Sequence, residues 1–276
     1  MRRNRMIIVF GMLGVLAFAG CGEKQAEIPD VTGTMMPTPT EAIDITEAVK
    51  DEEPLYTDSL SYQEETDEAK DGDFVYFKSK LIYPVYEGEN GEIMNRFVMS
   101  ITEAFREDLP EAKEDAGLDY EDSKSAEVTY TMFPEVEEFT VNCVWAKDDI
   151  QVLRTQWYRD VGGAHPGIHY EAYVADATSG KQKTFENMIL PYGLTTAEIV
   201  AYASEKIEKE FGEELYDFDD ESYLEQKVQQ FTQENQWYFN ENGLVLFANP
   251  YQIAPYTVGI IECEISYEEL EQGLKK

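Results

Sequence analysis

Residues 154–181 read RTQWYRDVGGAHPGIHYEAYVADATSGK, and this stretch decides the fold. Two extended runs flank a glycine-rich turn, Gly162-Gly163-Ala164-His165-Pro166-Gly167. The first run carries Trp157, Tyr158 and Val161. The second sets His169, Glu171, Tyr173 and Ala175 on one face and Tyr170, Ala172 and Val174 on the other. Period-two alternation of aromatic and β-branched residues, bounded by Gly and Pro, predicts a β-hairpin. Gly162 and Gly163 are expected to supply positive φ for its turn.

Outward from this hairpin, alternating apolar residues predict strands over 74–86, 125–133, 139–145 and 150–161. The segment 125–175 then reads as an antiparallel meander of about four strands. Met94, Phe97, Val98, Ile101, Ala104 and Phe105 recur at three and four, which predicts an amphipathic helix over 92–109. Thr195 with Glu198 and Ser266 with Glu269 are capping boxes, so helices should begin there; a further helix is expected over 219–230. Trp237 to Phe239 and Leu244 to Phe247 flank Asn242-Gly243, a favoured hairpin turn, and a last strand follows over 258–265. The predicted class is α+β: an antiparallel sheet meander with helices packed on one side, in two lobes (73–150 and 151–276) of one compact unit.

The start of the chain reads as an address. Arg2, Arg3 and Arg5 precede an uncharged apolar run over 6–20, shorter than the roughly 20 residues a spanning helix needs. Residues 1–20 therefore read as a secretory signal. Ala19-Gly20-Cys21 resembles a bacterial lipobox, with Phe18 where Leu is usual; that resemblance implies lipid attachment at Cys21 and a place on the outer face of the cytoplasmic membrane. Residues 22–72 hold 15 acidic residues against Lys24, Lys50 and Lys70, with Thr and Pro clustered over 32–40. Low hydrophobicity and high charge predict a disordered acidic tether over 21–72.

The whole chain carries a formal net charge of −34. Such a field repels nucleic acid and anionic lipid and attracts basic proteins, so no nucleic-acid partner is expected and the membrane is reached only through the anchor. Cys143 and Cys263, both on strand patterns, read as buried unpaired thiols, with a disulfide between them the alternative that an extracellular place permits; neither sits where a thiolate would be stabilised. His165 and His169 are four apart, but Pro166 and Gly167 exclude a helix, and a straight strand would hold them about 13 Å apart. No metal and no cofactor are expected. No serine or cysteine nucleophile accompanies His165, and no phosphate-cradling motif precedes a helix.

Tyr158, the turn at 162–167 and the motif at 250–256 carry a resemblance. Tyr158, Gly162-Gly163-Ala164-His165, Thr178 with Gly180-Lys181, and Pro250-Tyr251-Gln252-Ile253-Ala254-Pro255-Tyr256 resemble a family of unknown function. That family is shared by the extracellular part of the RsiV anti-sigma factor and the accessory region of PdaC-type deacetylases. Tyr83-Pro84 and Asn95 are similar to its N-terminal half. The resemblance implies an extracellular α+β domain, which in RsiV captures lysozyme, a basic protein. With the acidic balance, the expectation is a binding domain that is not itself an enzyme, for a basic protein such as lysozyme or a cell-wall fragment. The chain carries neither a deacetylase metal set nor a sigma-binding segment. The candidate binding residues are Tyr158, Gly162, Gly163, Ala164, His165, Pro250, Tyr251, Pro255 and Tyr256. A wall-acting hydrolase using His165 and an envelope scaffold are the alternative readings.

Overall fold

A computed structural model describes residues 59–88, 91–125, 134–216 and 222–275. The signal, Cys21, residues 22–58 of the tether, and 126–133 of the expected strand lie outside the described residues.

The expected hairpin is present as β4 (Ile150–Asp160) and β5 (Gly167–Asp176), antiparallel, with Trp157 opposite His169 and Arg159 opposite Gly167. Among the described residues they belong to a six-stranded sheet whose spatial order follows the chain: β1 (Leu60–Asp71), β2 (Phe74–Tyr86), β3 (Glu135–Lys147), β4, β5 and the short β6 (Lys181–Gln182). The fold is α+β. One pairing departs from the expected antiparallel sheet: β2 and β3 run parallel, with Leu81 opposite Phe139. Parallel neighbours need a crossover, and α1 (Gly91–Ser125) supplies it. The β3–β4 hairpin crosses residue 150, so the expected lobe boundary falls inside one sheet.

Two further expectations are corrected. The tether was expected to run to residue 72, yet 60–71 is a strand, paired along its length with β2. Three of its five acidic residues meet cations of the crossover helix: Glu65 meets Arg106 at 2.9 Å, Asp67 meets Lys113 at 2.6 Å, and Asp71 meets Lys124 at 2.7 Å. Exposed pairs of this kind contribute little each, so the ladder to β2 and the buried ends at Leu60 and Ala69 carry the strand. A local reading of charge cannot see cations lying 41 to 53 residues away.

The helix expected over 92–109 continues through Pro110 to Ser125. A mid-helix proline removes one hydrogen bond, but the turns beyond it bury Ala116 against Phe77, and Tyr120 stacks on Phe74 and Tyr76. Tertiary packing offsets the break.

The two sheet faces serve different cores. Leu81, Phe139, Val141, Cys143, Leu153 and Ala175 pack with Met94, Val98 and Phe105 of α1. The opposite face, Val152, Tyr170, Ala172 and Val174, packs with the second sheet and the later helices. The helices, expected on one side, are thus divided between the faces. The second sheet is β7 (Trp237–Phe239), β8 (Gly243–Ala248) and β9 (Ile261–Ser266). Every residue of β8 is buried, which is why it reads as a continuous apolar run.

The capping boxes are formed as expected, at Thr195 for α3 (Thr196–Phe211) and at Ser266 for α5 (Tyr267–Glu271). The helix expected over 219–230 is present as α4 (Tyr223–Phe231), and a short α2 (Phe185–Ile189) precedes α3.

Candidate functional site

Two segments far apart in sequence meet at the tip of the β4–β5 hairpin: its turn and the proline-rich loop 249–256. Asn249 holds them together. Its side-chain Oδ1 accepts from the Tyr170 N–H at 2.7 Å, and its Nδ2 donates to the Tyr170 carbonyl at 2.9 Å, so a side-chain amide caps the backbone of β5. Asn249 is 4% exposed. Gln252 and Gln236 exchange amide hydrogen bonds at 2.6 and 3.1 Å, and Gln252 also accepts from the Asn249 N–H. Asn95 treats the Tyr86 backbone as Asn249 treats Tyr170, at 2.9 and 3.0 Å, so one device locks an element to the sheet twice.

Within this frame the loop presents two rings to the turn. The His165 ring stacks on Tyr256, with centroids 3.8 Å apart and planes at 14°. His165 Nε2 lies 2.7 Å from the Tyr251 hydroxyl, and Nδ1 lies 3.2 Å from the Pro166 carbonyl oxygen. A carbonyl only accepts, so Nδ1 carries the proton of that contact; in the neutral ring Nε2 then accepts from Tyr251. Both ring nitrogens are engaged, so the ring is held by the turn and the loop rather than standing free as a general base would.

The remaining expected site residues distribute as follows. Gly162 has φ 77° and donates its N–H to Asp160 at 3.0 Å, so it supplies the left-handed turn residue. Gly163 does not have positive φ, which corrects the expectation that both glycines would; one left-handed residue closes this turn. Ala164 is exposed beside them, Pro250 is half-buried, and Pro255 is exposed. Tyr158 is half-buried at the same end of β4, opposite Ile168 and Glu138. Burial, then the charges of Asp160 and Glu138, push its hydroxyl above the ordinary tyrosine range. Tyr256 is buried and its hydroxyl pushed up, first by burial, then by Tyr251 and Asp160. Tyr251 and Val161 are 54% and 52% exposed. Tyr251 also holds φ 71°, a conformation a bulky side chain adopts only under constraint.

His169 does not join His165. It stands 3.8 Å from Glu171, whose carboxyl is held low by His169 and Tyr173 against the opposing effect of burial. Among the described residues no group of three or more His, Cys, Asp or Glu is arranged to hold a metal ion. Among the described residues Cys143 and Cys263 are buried and form no disulfide, and burial raises both thiols, Cys263 to about 12. Among the described residues no helix is long and apolar enough to cross a membrane.

Sequence reasoning found the two aromatic segments but not Asn249, Gln236 and Gln252, which position them. Asn249 was legible only as the first residue of a proline-rich loop.

The fold and this tip define an α+β domain of two sheets, with a preorganised aromatic cluster carried on two loops. Residues 194–268 match the model of the DUF3298 family, described as a protein family of unknown function. A solved structure of a DUF3298 family member from Bacteroides fragilis is 13% identical, with TM-score 0.54, covering 79% of this chain and 94% of its own. A DUF3298 family protein from Pseudomonas aeruginosa is 18% identical, with TM-score 0.42, covering 77% and 93%. The Bacteroides likeness shows a shared fold. No curated protein matches the chain.

Proposed function

We propose that this chain is a lipid-anchored binding domain outside the cytoplasmic membrane, which recognises a basic protein of the lysozyme type through the hairpin tip. The observation that carries the reading is the triad of His165, Tyr251 and Tyr256, locked in place by stacking and hydrogen bonds. Beside it, Val161 and Tyr251 leave apolar surface in water. Rigid aromatic residues lose little conformational entropy on docking, which favours them as anchors. The backbone strain at Tyr251 fits a position kept for contact rather than for stability. The net charge of −34 favours encounter with a cationic partner. The resemblance to the extracellular region of RsiV supports the choice of lysozyme, and Ala19-Gly20-Cys21 supports the anchor.

The test is a calorimetric titration of the full chain with lysozyme at two salt concentrations. Wild type should bind, more tightly at low salt, and Tyr251→Ala should weaken binding at least about tenfold. Absence of binding even at low salt would remove lysozyme as the ligand. Incubation with peptidoglycan, wild type against His165→Ala, tests the binding reading itself: turnover that disappears in the variant would replace it with a hydrolase.

A further inference from the structure

A second aromatic surface lies at the other end of β4, separated from the hairpin tip by the strand's length of about 33 Å. The turn between β3 and β4, the α2 region and the second sheet enclose a groove of about 360 Å³. Phe239 is 2% exposed and forms its floor, while Trp145, Tyr192 and Tyr267 are half-buried around it. Lys147, Asp148 and Asn187 are exposed at its rim.

We propose that this groove binds a short neutral oligosaccharide. The ring arrangement is the first reason. The planes of Tyr192 and Phe239 lie at 7°, those of Phe239 and Tyr267 at 28°, and those of Tyr192 and Tyr267 at 30°, with all three centroid separations between 6.3 and 6.5 Å. Near-parallel rings at equal mutual spacing cannot form one column; the half-buried Tyr192 and Tyr267 stand side by side over the buried Phe239 and leave two neighbouring rings for a ligand. The face of an aromatic ring is electron-rich, and the C–H-bearing face of a sugar ring is its apolar, electron-poor complement. A quaternary ammonium is instead held by rings that enclose it from several directions, and no near-perpendicular pair occurs among these three.

The rim is the second reason. Among the described residues the side chains of Lys147, Asp148 and Asn187 make no hydrogen bond or ion pair within the chain. Together they offer donors and acceptors, and a sugar hydroxyl is both. A polyproline segment, which also favours aromatic grooves, lacks N–H groups and would leave the Asp148 carboxylate without a donor. Charge is the third reason. Lys147 and Asp148 offset each other; the Tyr192 hydroxyl is pushed up by burial and then by the charge of Glu271, and that of Tyr267 by burial, then by Tyr192, then by the charge of Glu241. That field disfavours an anionic ligand. The volume sits at the low end of small-molecule sites, roughly 300–1,000 Å³, which suits a short oligosaccharide rather than a folded protein.

The experiment is a titration of the full chain with chitotriose, cellotriose and maltotriose, with decaproline and choline as competing classes. At least one trisaccharide should bind saturably. Tyr192→Ala and the rim variant Asn187→Ala should each weaken it about tenfold, while Tyr192→Phe, which keeps the ring, should stay near wild type. Tyr251→Ala, at the far tip, should leave sugar binding unchanged, so this groove and the hairpin-tip reading stand or fall separately. Far-UV circular dichroism checks that each variant is folded; Asn187 is exposed, so its substitution reads binding even where Tyr192→Ala unfolds. No saturable sugar binding, sugar binding indifferent to Asn187→Ala, or uptake of decaproline or choline in its place would overturn the proposal.

Discussion

Replacing Asn249 by Ala removes the clamp between the 249–256 loop and β5. The Tyr170 N–H and carbonyl both lose their partner at a site where Asn249 is 4% and Tyr170 7% exposed. A buried backbone group left without a partner costs about 1–3 kcal/mol, and two neighbouring groups sharing one cavity sum to about 3 kcal/mol after partial relaxation. In a folded region of this size each kcal/mol lowers Tm by about 2–4 °C, so Asn249→Ala should melt roughly 6–12 °C below wild type. Asn249→Asp sharpens the test. It keeps an acceptor for the Tyr170 N–H but sets a carboxylate oxygen against the Tyr170 carbonyl, so its loss at neutral pH should be at least as large. Differential scanning calorimetry gives the Tm, and amide exchange at Tyr170 reports local opening. A fall of less than about 3 °C for Asn249→Ala, with Tyr170 still protected, would refute the clamp.

Other outcomes follow from the same structure. The Tyr256 hydroxyl is buried without a hydrogen-bond partner among the described residues, so Tyr256→Phe should be neutral or stabilising by up to about 1 kcal/mol in urea unfolding, whereas Tyr256→Ala should cost about 3 kcal/mol or more by removing the ring under His165. Arg154 is 6% exposed, meets Glu262 at 2.7 Å and lies over the rings of Tyr170, Tyr238 and Phe247. Arg154→Ala should therefore cost about 3 kcal/mol, and Arg154→Met much less, because Glu262 can turn to water while the methionine refills the space. Glu269 is held at about 2: burial opposes ionisation, but hydrogen bonds from Tyr202, Ser266 and Lys206 outweigh it. Its folded value lies below the ordinary 4.5, so its contribution is present above pH 4.5 and is lost as pH falls from there toward about 2. Acid unfolding of Glu269→Gln should show a shallower loss of stability across that window; an unchanged slope would contradict the assignment.

The features legible in the sequence are those written within a few residues of one another. The β4–β5 alternation, the Asn242-Gly243 turn and the two capping boxes depend on backbone geometry and on partners three or four positions away. Physical chemistry at that range is the same in any surroundings, so the α+β class and most elements could be read from residues alone. Tertiary contacts decided the rest. The acidic run at 60–71 is a strand because β2 offers it a ladder and α1 offers it cations. Helix α1 outlasts Pro110 because Phe74, Tyr76 and Phe77 wait beyond it, and the parallel β2–β3 pairing follows from that long crossover. At the tip, His165 and Tyr251 were both visible as aromatic loop residues, but they lie 86 positions apart and meet only through a side-chain amide bonded to a backbone 79 positions away. No periodicity encodes such a pair. It exists because burying Asn249 leaves its amide no solvent to bond, and the Tyr170 backbone is the partner the fold puts in reach.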